Sequence, residues 1–319
     1  MSAVFSVFGT LTGCIGSMTC VESLAKQQPT SMNLLTFASF LFITLEGLIV
    51  TSRFLTVKNS IPIKAYLPVV LIFFLSNWIN NQALNFHVPV PLHIIFRSGS
   101  LLTNLIMNKV IVGKSYSTQK YICVLVITIG IIICTLASSG SSSGQGLTLE
   151  EAEKHYKEWV IGIILLILAL VLVSYLAIIQ EKLYKDYGKH PKESMFYTHA
   201  LSLPIFAFMG ADIYKNAIMF NESSPYTVLG INTGIPQLWV MLLGACIGQW
   251  VCILFVYQLN SKVDSLSVTL VVTLRKFLSL LISIFWFGNV FTGVHWFGTI
   301  LVFGGSFFFA VEKPKQHKE

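Results

Sequence analysis

Apolar residues dominate this chain in long runs, and polar residues gather at the breaks between them. Ten runs stand out, at 3–22, 33–52, 65–86, 91–112, 117–138, 159–180, 194–213, 236–257, 264–287 and 293–311. A bilayer-crossing helix needs roughly 20 mostly apolar residues, and each run approaches or meets that length. Several contain Gly or Pro, which membrane helices tolerate. The pattern predicts an all-α polytopic membrane protein with ten transmembrane helices. The first run is not read as a cleavable signal, because no basic segment precedes it and Glu22 closes it.

The longest polar stretch, 139–158, opens with SGSSSGQG, a flexible-linker composition. It divides the chain into a first five-helix repeat (1–138), the linker itself (139–158), a second five-helix repeat (159–311) and a basic tail (312–319). The halves look related. VGKSYSTQKYICVLVITIG at 112–130 aligns with FGNVFTGVHWFGTILVFGG at 287–305, pairing Gly113 with Gly288, Ser117 with Thr292 and Gly130 with Gly305. Five spans is an odd number, so the second copy must enter the membrane with opposite topology. Inverted repeats mark secondary transporters, whose substrate lies near the midplane between the halves.

Composition supports this reading. Hydrophobic residues make up 54%, charged residues 11%, and the mean hydropathy is +0.73, against about 25% charged residues in ordinary soluble domains. A soluble globular fold could not bury so much apolar surface. Of the 21 Lys and Arg, 14 fall in loops on the side of the termini, four fall on the opposite side, and three lie inside spans. That bias places both termini in the cytosol and the 139–158 linker in the lumen. The sequon Asn221-Glu222-Ser223 then also falls in the lumen, making Asn221 a glycosylation candidate. The net charge of +7 is scattered between apolar runs, which argues against nucleic-acid binding. All six Cys lie in apolar stretches without metal-ligand spacing, and they are expected as buried thiols.

Charges that persist inside spans carry the chemistry. Lys, Arg or Asp at a bilayer centre costs about 2.5–3.5 kcal/mol on insertion scales, so intramembrane charges face a cavity or a partner. Here they are Glu22, Glu46, Arg97, Arg275 and Lys276. Polar residues recur at helical spacing beside them: Asn77, Asn81 and Asn85 with Asn80; Arg97, Ser100, Asn104 and Asn108; Ser265, Thr269, Lys276, Ser279 and Ser283. An excess of cations in a low-dielectric cavity favours an anion. An Arg fork suits phosphate, and Lys adds a point charge. Asn, Ser and Thr suit sugar hydroxyls and base edges, and Tyr197, Trp250 and Tyr257 could stack a base. There is no nucleotide-hydrolysing motif, no acid pair, nucleophile triad or metal cluster, and no cofactor is implied. The residues describe a secondary transporter of a phosphorylated organic anion, not an enzyme.

Five segments carry a family resemblance: FLFITLEG at 40–47, NNQALNF at 80–86, PLHIIFRSGSLLTN at 91–104, FYTHALSLP at 196–204 and SLSVTLVVTLRKFLSLLIS at 265–283. Together they resemble the nucleotide-sugar transporters of solute carrier family 35, subfamily B, from about residue 10 to about residue 311. The resemblance implies the ten-helix drug/metabolite-transporter fold in a Golgi or endoplasmic reticulum membrane. It implies antiport by alternating access: a UDP-sugar, UDP-N-acetylglucosamine or UDP-xylose, enters the lumen and UMP leaves. A GDP-fucose/GMP exchanger and an exporter of another metabolite remain as alternatives. The family's FYNN and GALNK motifs correspond to FYTH at 196–199 and TLRK at 273–276. The expected substrate-binding set is Arg97, Lys276, Arg275, Tyr197, His199, Asn80, Asn81, Ser100, Asn104, Thr269 and Thr273, with Glu22 and Glu46 as charge partners. The lipid bilayer is a further partner, and a homodimer stays open.

Overall fold

The computed structural model describes residues 3–86, 88–113, 115–142, 149–228, 231–260 and 265–311. It is overwhelmingly helical. Helices α1 (Ala3–Gln27), α2 (Met32–Val50) and α3 (Ile63–Leu84) are followed by α4 (Val90–Ser98) and α5 (Ser100–Met107), which runs into a π-helical turn at Asn108–Val112. Then come α6 (Thr118–Ser142), α7 (Leu149–Tyr187), α8 (Pro191–Ser202), a 3-10 stretch at Leu203–Met209 and α9 (Gly210–Asn221). Strands β1 (Pro225–Val228) and β2 (Ile231–Pro236) precede α10 (Gln237–Asn260), α11 (Ser265–Phe285) and α12 (Gly293–Val311). Among the described residues, eight helical segments are long and apolar enough to cross a membrane.

Three features differ from the sequence expectation. The run at 194–213 is not one rod: Pro204 lies in the 3-10 stretch that separates α8 from α9, as expected where a ring blocks a helix interior. Much of the polar 139–158 stretch is helix, because α7 begins at Leu149. Acids in its first turn suit the helix dipole, and Glu153–Lys157 (2.6 Å) is a surface i,i+4 pair. Finally, the fold contains a small antiparallel hairpin of β1 and β2. The segment is too polar for a span and rich in Thr, Ile and Val, which favour strands.

The chain forms two compact units, each drawing on both sequence halves. One comprises Met1–Val7, Gln82–Tyr175 and Val256–Glu319. Its spine is α6 against α12. A Cβ on Gly130 would lie 2.6 Å from the Gly298 carbonyl, and one on Gly305 would lie 3.1 Å from the Cys123 carbonyl. At the end of this contact, Ser138 and His295 Nε2 bond at 3.0 Å.

The other unit comprises Phe8–Asn81 and Leu176–Phe255. Here α1 meets α10 through glycines. A Cβ on Gly13 or on Gly248 would fall 2.9 Å from the backbone nitrogen of Cys252 or Ser17, respectively. This approach brings Cys14 and Cys252, expected as thiols, into a disulfide with Cα atoms 4.6 Å apart. Ile61, Tyr66, Val69, Val70, Leu176 and Leu183 form a buried cluster, with Tyr197 packed on it.

Candidate functional site

The three intramembrane cations share the first unit. α4 starts behind the extended Pro89 and carries Arg97 in its last turn. Residues 91–96, Ser98 and Gly99 are buried, while Arg97 between them is exposed. α11 packs against α4 and presents Arg275 and Lys276, both half-buried. Lys276 Nζ donates to the Arg97 main-chain carbonyl at 3.0 Å. Ser100 Oγ donates to the same oxygen at 3.0 Å. Arg275 and Lys276 both lie within electrostatic reach of Arg97. Three cations so close repel one another, and an anion among them would relieve that repulsion.

The polar companions on this side divide by what they touch. Asn104 Oδ1 accepts from Asn108 Nδ2 within the α5 turn. Thr103 bonds Ser174 Oγ at 2.6 Å, tying α5 to α7. Thr273 is half-buried on α11, one turn before Lys276. The side chains of Thr269 and Tyr257 lie outside those described. Sequence reasoning passed over Ser98, whose Oγ is buried beside Arg97 without a hydrogen-bond partner among the described residues.

The second unit holds the remaining candidates. The His199 ring stands edge-on to Phe40 and Phe73, at 4.8 and 5.0 Å between centroids. Its Nδ1 bonds the Met195 carbonyl at 2.7 Å, so in the neutral ring Nδ1 carries the proton and Nε2 is the acceptor. Tyr197 stacks on Tyr66 at 5.4 Å. Asn81 Nδ2 donates to Thr36 Oγ1 (2.7 Å) and the Met32 carbonyl (3.1 Å), joining α3 to α2. Asn80 is half-buried beside it. Trp250 meets Phe42 edge-on at 6.4 Å. Glu22 is buried in α1. Glu46 is half-buried, and its Oε2 is buried without a hydrogen-bond partner among the described residues.

Two carboxylates that sequence reasoning did not single out fix the ends of the broken α8–α9 segment. Glu193 accepts from the Ser60 and Ile61 amides (2.9 and 3.0 Å) and from Tyr66 Oη (3.2 Å). Asp212 accepts from Asn33 Nδ2 at 2.8 Å and Asn216 Nδ2 at 3.2 Å. The signal for Glu193 was an acid in the first turn after Pro191, a helix-start pattern. Asn221 Oδ1 accepts from Trp239 Nε1 at 2.8 Å.

Comparison with known proteins gives a consistent set. The model of the UAA transporter family matches residues 2–313. The endoplasmic reticulum GDP-fucose transporter of Drosophila melanogaster is 44% identical over 97% of this chain and 90% of its own length. The UDP-xylose and UDP-N-acetylglucosamine transporter of Danio rerio is 43% identical over 97% of this chain and 94% of its own. The human nucleotide sugar transporter SLC35B4 is 42% identical over the same shares. A solved crystal structure with 16% identity and a TM-score of 0.55 covers 96% of both chains, a likeness of fold.

Proposed function

Because this chain belongs to the UAA transporter family, we propose that it exchanges a nucleotide sugar for the matching nucleoside monophosphate across an endoplasmic reticulum or Golgi membrane. The favoured cargo is a UDP-sugar, UDP-N-acetylglucosamine or UDP-xylose, moved from cytosol to lumen against UMP by alternating access, with both termini cytosolic. The observation that carries the reading is the meeting of Arg97, Arg275 and Lys276 on α4 and α11. A diphosphate among these three cations would offset their mutual repulsion, and Arg and Lys are its usual ligands. In the unit that holds the cations, Ser98 stands beside Arg97 on α4 and Thr273 one turn before Lys276 on α11, and both are assigned to the cargo's polar groups. Asn81, Ser100, Asn104 and Tyr197 support the helices that carry them.

A ten-span fold of two inverted repeats is part of the proposal. Gly113 and Gly288, paired in the sequence alignment, both have positive φ (72° and 63°). The contacts of Gly130 with Gly298 and Val302 recur, at the same sequence offset, as those of Gly305 with Cys123 and Ile127. A twofold relation between the halves accounts for that reciprocity.

A second reading is GDP-fucose exchange against GMP, favoured by the 44% identity to the Drosophila GDP-fucose transporter. Counterflow in proteoliposomes decides. Vesicles preloaded with UMP are expected to take up labelled UDP-N-acetylglucosamine or UDP-xylose, and empty vesicles are not. Uptake only with internal GMP would move the protein to the guanine reading. Equal uptake into empty vesicles would sink obligatory exchange.

A further inference from the structure

The bond between Lys276 and a backbone carbonyl has a consequence for the carrier's cycle. The carbonyls in the last turn of a helix lack in-helix amide partners, and in a membrane interior an unsatisfied one is expensive. α4 ends at Ser98, so the Arg97 carbonyl belongs to that set. The chain turns at Gly99, whose amide bonds the Phe96 carbonyl at 2.8 Å. A Cβ there would lie 2.8 Å from the tip of Ile131 (Cδ1) and 3.0 Å from the Phe96 carbonyl, so the break is closely packed. The freed carbonyl takes its donors from outside the α4 backbone, Ser100 Oγ and Lys276 Nζ.

Lys276 is thus held by a neutral oxygen at the negative end of a helix dipole. That anchor is weaker than an ion: the ammonium's bond to a carbonyl is charge-assisted on one side only, whereas a phosphate adds full charge–charge attraction in a poorly screened site. A phosphate placed among Arg97, Arg275 and Lys276 outcompetes it. We propose that Lys276 alternates between two partners, the Arg97 main-chain carbonyl and a substrate phosphate, so that anion binding releases the α11 side chain from the α4–α5 break. The inference rests on the site being a phosphate site. Ser100 has a defined part in it. It is a positioning residue that keeps the carbonyl satisfied when Lys276 leaves, which lowers the cost of the exchange.

Arg97–Ser98 is the sole Arg-Ser pair in the sequence. Full-length protein labelled with [1-13C]arginine and [15N]serine therefore reports one carbonyl through its 13C–15N bond in solid-state NMR. Labelled protein in liposomes would be titrated with UMP and UDP-N-acetylglucosamine, then with GMP and GDP-fucose. The Arg97 carbonyl resonance is expected to move upfield as it loses a donor. In Lys276→Gln it should start upfield and not move, and in Ser100→Ala it should still move. An unmoved resonance in protein that exchanges nucleotide sugar in the same liposomes overturns the inference. So does a shift that persists in Lys276→Gln, since it would come from Arg97's own side chain. A loss of the shift in Ser100→Ala alone would overturn it too, by making the serine the moving donor. Protein that exchanges no nucleotide in either series refutes the transport reading itself.

Discussion

At the scale of single residues, polar side chains in this membrane protein divide into those whose bonds tie helices together and those we assign to cargo. Asn81 and Lys276 are both polar groups on membrane helices, yet they touch different things. Asn81 spends its amide on α2. Asn81→Ala is expected to lower thermal stability by about 1 kcal/mol while leaving the apparent KM for the nucleotide sugar unchanged. Lys276→Ala removes a cation from the cluster on α4 and α11, and loss of a hydrogen-bonded charge partner to the cargo costs about 2 kcal/mol, roughly thirtyfold in exchange rate. Detergent melting curves beside proteoliposome kinetics check both. A large KM change in Asn81→Ala, or near-normal exchange in Lys276→Ala, would reverse the assignment. The cations were legible in the sequence because a charge inside a span has few innocent explanations. The Asn, Ser and Thr positions were less so. Spacing gives the helix face of Asn81 or Ser100, but which neighbour takes the hydrogen bond depends on packing between distant segments, as with Ser100 and the Arg97 carbonyl.

At the scale of elements, glycine placement decides which helices meet. α12 carries Gly298 and Gly304 within two turns. A Cβ on Gly298 would stand 2.6 Å from Cys134 Sγ and 2.8 Å from the Gly130 carbonyl, whereas one on Gly304 meets nothing within 4 Å. Gly298→Ala is therefore expected to destabilise the protein by about 1–3 kcal/mol through overpacking. Gly304→Ala should be neutral or stabilising by up to about 1 kcal/mol, because Ala favours helix. Thermal midpoints of the two variants in one detergent test the contrast, and equal midpoints would refute the close contact. Run length and polarity predicted most of these elements, because a span must be apolar for nearly its whole length. They failed where local chemistry interrupts the pattern. Pro204 lies in a 3-10 stretch inside an apolar run, Gly99 separates α4 from α5, and the charged start of α7 read as linker because exposed i,i+4 pairs look like loop composition. The β1–β2 hairpin was missed for a related reason: short strands give a weak signal beside 20-residue spans.

At the scale of the whole chain, the sequence divides at 139–158, but the compact units do not follow that division. α6 from the first half packs on α12 from the second, α4 on α11, and α2 on α8 and α9. Neither half by itself therefore contains the partners of its own tightly packed faces. Lipid cannot replace them: a helix face that carries Gly130 or Gly298 gains stability from close backbone approach, which acyl chains do not offer. The covalent link between the halves matters much less, since the entropic cost of joining two chain ends grows only slowly with the length of the connection. These two facts predict an asymmetric outcome when the chain is cut within 143–148. Residues 1–142 and 149–319 expressed separately should aggregate or be degraded, and co-expressed they should assemble and restore nucleotide-sugar counterflow. Size-exclusion profiles of each half and of the pair, followed by counterflow on the pair, make the test. A monodisperse, protease-resistant single half would mean that the five-helix repeats fold autonomously and that the cross-half contacts are secondary. A pair that assembles without exchange would mean that the link also constrains the transport cycle.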